Sequence, residues 1–106
     1  MTMTEDNFEK YNPQELQQKY EEWCELHRQQ LEAQQQFLKA EALQNELKKY
    51  YLNPQWMTDR EADLPIEHSG QAHSIFSEDA LWSMLSDHDE LARKWMRLGL
   101  NAIDKK

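Results

Sequence analysis

From Asn12 onward the apolar positions recur in steps of three and four. Leu16, Tyr20, Trp23/Cys24, His27, Leu31, Gln34/Gln35, Leu38 and Ala42 trace one stripe down a helix. A second set, Phe37, Ala40, Leu43/Gln44, Leu47 and Tyr50/Tyr51, lies on a neighbouring face of the C-terminal half. No Gly or Pro falls between Pro13 and Pro54, and Asn12-Pro13 with Glu15 is a helix-start signal. The pattern predicts a helix over 13–51, roughly 55–60 Å long at 1.5 Å per residue. Its centre, residues 28–36, is rich in Gln and poor in core residues, so the helix either bends there or is solvated on most sides.

Asn53-Pro54 repeats the start signal and predicts a short helix over 54–62, anchored by Trp56 and closed by Leu64-Pro65. Residues 66–75 hold Ser69 and Gly70 without apolar periodicity and read as a loop. Ser77-Glu78-Asp79, with a hydroxyl at the cap and two carboxylates beside it, predicts the start of a helix over 78–86. Ala80, Leu81, Met84 and Leu85 supply its buried face. Ser86 to Asp89 reads as a break, because Asp87 and Glu90 have the spacing of a capping box. A last helix over 88–103 then carries Leu91, Trp95, Leu98 and Ala102. The expected fold class is all-α: a long N-terminal helix packed against three shorter helices in a small bundle. Residues 1–12 are expected to be a flexible tail and 13–106 a single helical domain.

Composition supports the helices and excludes sheets. Two Gly and three Pro are too few for the tight turns of a β-fold. The chain has no Val, three Thr and three Ile, while Gln, Glu, Leu, Lys and Ala dominate. At 106 residues it is one domain's worth of chain, and its 39% hydrophobic content is low for a globular protein. Four Trp, four Tyr and three Phe offset that shortage, since each ring can bury roughly 150–250 Å².

Charge narrows the partners. The net charge of −8 disfavours direct binding to nucleic acid, whose phosphates it repels. Negative density is highest mid-chain, around Asp59, Glu61, Asp63 and Glu67. One cysteine, Cys24, forms no intramolecular disulfide, and the N-terminal residues lack a secretory h-region. No run approaches 18 apolar residues, so no membrane association is expected and the cytoplasm is the expected compartment.

Leu47, Tyr50-Tyr51, Trp56, Asp59, Glu61-Ala62-Asp63, Pro65, Ser77-Glu78-Asp79-Ala80-Leu81 and Met84-Leu85 occur here in one order. That succession resembles a bacterial domain-of-unknown-function family of small helical proteins, with the pattern YY…W..D…LP…LSEDAL followed by LL. The resemblance covers roughly the last two-thirds of the chain and implies a long N-terminal helix. It departs from the pattern at His73-Ser74-Ile75-Phe76, where the family has Gly followed by Val and Leu. It implies no activity.

The densest chemistry is Tyr50, Tyr51, Trp56 and Asp59. In a chain with so thin a core, the plain account is that the aromatics pin the short helix to the long one. Asp59 would then accept from a Tyr hydroxyl, a Trp N–H or a backbone amide. The functional account makes Tyr51, Trp56, Asp59, Glu61 and Asp63 a partner-binding face, as Trp and Tyr are common anchors at interfaces. The acidic residues with His68 and His73 lack the glycine turn of a Ca²⁺ loop and the frame of a zinc site, so no metal and no cofactor is assigned. Cys24 and His27 lie three apart on a helix, where a Cys–His pair could activate a nucleophile, but no orienting third group is identifiable. Hydrolase, P-loop and dinucleotide motifs are absent, so the chain is read as no enzyme. The expected function is protein–protein interaction: a small acidic inhibitor or immunity-type protein on a basic partner, with nucleic-acid mimicry as a variant. The alternatives are a homo-oligomeric helical scaffold, a homodimer for instance, and, third, a metal- or small-molecule-binding regulator.

Overall fold

A computed structural model of the chain describes residues 10–104. It contains α1 (Pro13–Tyr51), α2 (Pro54–Glu61) and α3 (Ala80–Asp104), with no strand among the described residues. The all-helical class and the long N-terminal helix are as the sequence predicts, but among the described residues there are two shorter helices, not three. Of the expected tail, residues 1–9 lie outside the described residues. The chain divides at Phe37/Leu38, inside α1, into two compact units, Met1–Phe37 and Leu38–Lys106.

The first unit holds the start of α1. Asn12 caps it: the Asn12 side-chain carbonyl accepts from the backbone N–H of Gln14 at 3.0 Å and of Glu15 at 3.3 Å. Pro13 takes the first helical position, where its missing N–H costs nothing. The helix runs unbroken through the Gln-rich centre. Gln is a good helix former, and side-chain pairs one turn apart support the stretch. Arg28 pairs with Glu25 and, at 2.6 Å, with Glu32, while Gln17 donates to Glu21 and Gln29 to Glu25. No buried residue lies on α1.

In the second unit α1 ends with Lys48 and Lys49 in its last turn, where positive charge suits the helix dipole. Asn53 caps α2 by accepting from the N–H of Gln55 at 2.8 Å, and Pro54 starts it. The end of α2 is a Schellman arrangement. The Asp63 N–H donates to the Arg60 carbonyl at 3.1 Å and the Leu64 N–H to the Asp59 carbonyl at 3.2 Å. Asp63 occupies the left-handed position with φ of 54°. Pro65 follows, so the chain cannot resume the helix.

The structure corrects two expectations about α3. Its first residue is Ala80, and the Asp79 carbonyl accepts the Ser83 N–H at 2.8 Å, so Asp79 and not Ser77 stands at the helix boundary. Ser77 instead closes a turn by donating its N–H to the Ser74 carbonyl at 2.9 Å. The expected break at 86–89 does not occur. Asp87 and Glu90 sit one turn apart on a continuing helix, a spacing that capping boxes and helix interiors share. The helix runs unbroken from Ala80 to Asp104, and just beyond the supposed gap Asp89–Arg93 at 2.8 Å and Glu90–Lys94 at 3.2 Å pair one turn apart. Leu81 is buried, and Met84, Leu85, His88, Ala92 and Trp95 are half-buried. Within this unit the end of α1 packs on both other helices: Leu43, Gln44 and Leu47 share a groove with Met84, His88 and Leu91 of α3.

Asp63 is the one described non-glycine residue with positive φ, a conformation that costs an L-residue about 1–2 kcal/mol relative to Gly. Asp63→Gly is therefore expected to stabilise the fold by about 1 kcal/mol, and Asp63→Val to destabilise it, both read by urea unfolding.

Candidate functional site

The residues singled out by sequence converge on the α1–α2 corner. Two helices meeting across the short Leu52-Asn53 link bring Tyr50 and Tyr51 beside the first turns of α2. The Tyr50 hydroxyl donates to an Asp59 carboxylate oxygen at 2.6 Å, and the Gln55 amide donates to the same oxygen at 3.2 Å. The bond to a carboxylate holds the Tyr50 proton in place, so its pKa is pushed up to about 12, with partial burial and the nearby negative charge adding to the effect. The Tyr51 ring meets Trp56 edge to face, with centroids 4.9 Å apart and an interplanar angle of 76°.

Trp56 is only 6% exposed and makes two kinds of contact at once. Its indole N–H donates to the Ile75 carbonyl at 3.0 Å. The Arg60 guanidinium carbon stands 5.6 Å from its ring centroid, within cation–π range. Arg60 in turn donates through Nε to the Phe76 carbonyl at 3.0 Å. Two consecutive carbonyls of the loop before α3 are thus satisfied by α2. Sequence reasoning placed Tyr51, Trp56 and Asp59 here, with a tyrosine hydroxyl as one of three donors open to Asp59, but not Arg60 or the loop carbonyls. Their one sequence signal is that Arg60 is the single cation among residues 51–75.

The five candidate partner-binding residues do not share one surface. Trp56 is inside the fold, Tyr51 and Asp59 are half-buried, and Glu61 and Asp63 are exposed. The acidic run continues through exposed Glu67. Among the described residues no group of three or more His, Cys, Asp or Glu is placed to hold a metal ion. His73 borders an open groove of about 580 Å³ whose other walls include Ile75, Asp79, Leu81, Met84 and Asp87. On α1, His27 stacks on Trp23 with centroids 4.7 Å apart and planes 10° from parallel. The Tyr20 phenol hydrogen-bonds with Cys24, which raises the Tyr20 pKa. No described helix is long and apolar enough to cross a membrane.

Removing the indole donor while keeping an aromatic body tests the corner. Trp56→Phe leaves the Ile75 carbonyl without its donor and is expected to cost about 1–3 kcal/mol in urea unfolding. The Tyr50 pKa sets a pH dependence. A group whose folded pKa is raised from the ordinary tyrosine value of 10.0 to about 12 contributes stability that is present below pH 10 and lost as pH rises toward 12. The wild type is therefore expected to lose more stability between those values than Tyr50→Phe does, measured by denaturant midpoints across that window.

No curated protein and no solved structure matches the chain. A family model does match, over residues 14–98, which takes in nearly all of α1, the whole Trp56 corner and most of α3. The chain belongs to that family, the domain of unknown function DUF4298.

Proposed function

We propose that this chain is a non-enzymatic protein-binding module, of the small acidic inhibitor or immunity type, acting on a partner with a basic surface. The observation that carries the binding role is the balance of buried and exposed apolar groups. Among the described residues only Trp56 and Leu81 form a buried hydrophobic core. Large apolar side chains stand exposed along both long helices, among them Tyr20, Trp23 and Leu38 on α1 and Met96, Leu98 and Ile103 on α3. Single exposed apolar residues are ordinary on a protein surface, whereas helix-length rows of them mark surfaces that another chain covers.

The basic character of the partner rests on charge. A chain at −8 attracts a positive surface over a Debye length or more at low salt, which speeds encounter. Of the five residues named from sequence, Glu61 and Asp63 are the ones a partner can reach, with Glu67 beside them. Trp56, Tyr51 and Asp59 contribute by holding the corner that presents them. Nucleic-acid mimicry is the variant in which the basic partner itself binds nucleic acid. A homo-oligomeric helical scaffold is the second reading, favoured by the exposed stripe on α1.

Capture of partners on the tagged protein at low and high salt, followed by calorimetry with the purified partner, tests the proposal. One stoichiometric basic partner is expected, with affinity falling as salt rises and falling roughly tenfold in Glu61→Lys/Asp63→Lys. Absence of any basic partner, or binding indifferent to salt and to these substitutions, would overturn it.

A further inference from the structure

The open groove of about 580 Å³ between the loop before α3 and the first turns of that helix joins an apolar floor to an acidic rim. Leu81 is buried in its floor, with Ile75 and Met84 half-buried beside it. Glu78, Asp79 and Asp87 stand exposed along its edge, and no Lys or Arg is among its described walls. The whole groove lies inside the second unit.

Three features of the groove select its occupant. The first is its loop wall. Trp56 donates to the Ile75 carbonyl and Arg60 to the Phe76 carbonyl, each at 3.0 Å, and the Phe76 N–H donates to the Ser74 hydroxyl at 3.1 Å. A wall already ordered lowers the cost of docking. The second is unpaired charge. Elsewhere in this unit Asp59, Asp89 and Glu90 have donors of their own in Tyr50, Arg93 and Lys94. Among the described residues Glu78, Asp79 and Asp87 take part in no ion pair. Glu78 and Asp79 suit the positive end of the helix dipole, but Asp87 lies about two turns inside α3, beyond its reach. The third is spacing. Asp79 and Asp87 stand about 12 Å apart along the helix axis, with Leu81 and Met84 between them. In an extended chain, residues i, i+2 and i+4 point to one face and span about 13 Å.

We propose that this groove receives an extended segment of a protein partner whose alternate side chains are basic, apolar and basic, with arginine preferred to lysine. The inference rests on the protein-binding reading above and names the surface and the recognition element for it. The apolar side chain lies on Ile75, Leu81 and Met84. One cation meets Glu78 and Asp79 at the start of α3, and the other meets Asp87. Arginine is preferred because its planar fork pairs with a carboxylate through two hydrogen bonds, and because it is weakly hydrated beside an apolar floor. An exposed ion pair alone contributes little, so affinity depends on both charged ends and the apolar anchor together.

Titration of the full chain with the end-capped peptide Ser-Gly-Arg-Ser-Leu-Ser-Arg-Gly-Ser, followed by backbone amide NMR, tests this. Shifts are expected to concentrate in residues 72–87. Asp79→Asn/Asp87→Asn, at two exposed positions, is expected to keep the helical circular dichroism and to weaken binding roughly tenfold. Replacing the peptide's leucine by serine is expected to weaken it by a similar factor, roughly tenfold. An absence of shifts in 72–87, or binding indifferent to the Asp79/Asp87 pair, would overturn the groove as the docking surface. Equal binding of the serine peptide, or of spermine at the same residues, would overturn the apolar anchor and with it the proposed segment. A chain whose capture of a basic partner is weakened by Glu61→Lys/Asp63→Lys but not by Asp79→Asn/Asp87→Asn would leave the protein-binding reading standing while this inference falls.

Discussion

The buried indole of Trp56 is the contact on which the second half of the chain depends. In this unit the helices offer few apolar side chains to one another, and a loop of eighteen residues separates α2 from α3. A loop of that length is expensive to order unless it is tied at specific points. Trp56 ties it through the Ile75 carbonyl, and Arg60, held over the same ring, ties it through the Phe76 carbonyl. With those two bonds made, the chain turns through Ser74–Ser77 and enters α3 at Ala80. Tyr51 closes the other edge of the ring, and the Tyr50–Asp59 bond fixes α2 on the end of α1.

This explains why the acidic segment is ordered without being covered. Asp59 is drawn inward by two donors, and Asp63 is held in a left-handed turn by the helix-end geometry. Glu61 and Glu67 have no such role and stay exposed. The negative charge displayed there is carried next to a corner held by the bonds of Tyr50 and Gln55 to Asp59. The long helix works differently. Among the described residues its N-terminal half shows local supports: the Asn12 cap, uninterrupted helix formers and pairs such as Arg28 with Glu25 and Glu32. Such means are each worth a few tenths of a kcal/mol, and isolated helices in water are marginal. Under the proposed protein-binding function, the apolar stripe on that half is stabilised by another chain.

Much of the fold was legible because its signals are local. Asn12-Pro13 and Asn53-Pro54 place both caps where the structure has them, and the absence of Gly and Pro carries α1 through its centre. A tyrosine hydroxyl was one of three donors the sequence left open for Asp59, and the fold of the corner selects Tyr50. The misplaced elements share one cause. Asp87-x-x-Glu90 fits a capping box and a helix interior equally well, and only the helix that continues through Ser86–Asp89 decides between them. Likewise Ser77 is a good cap residue locally, but the loop ties at Ile75 and Phe76 hold it in a turn. Arg60 was missed because a bond spanning sixteen residues leaves no periodic trace. The candidate face was legible as a cluster but not as a surface, since sequence does not say which side of Trp56 is in.

The central claim is that the N-terminal half of α1 is a surface another protein chain covers, and hydrogen exchange on the purified chain at low and high protein concentration addresses it most directly. The account predicts that amides of residues 16–31 become better protected as concentration rises, while those of the Trp56 corner do not change. Rapid exchange of residues 16–31 at every concentration would contradict a covering by the chain itself. Exchange already slow in the dilute protein, with no dependence on concentration, would contradict the need for any covering partner.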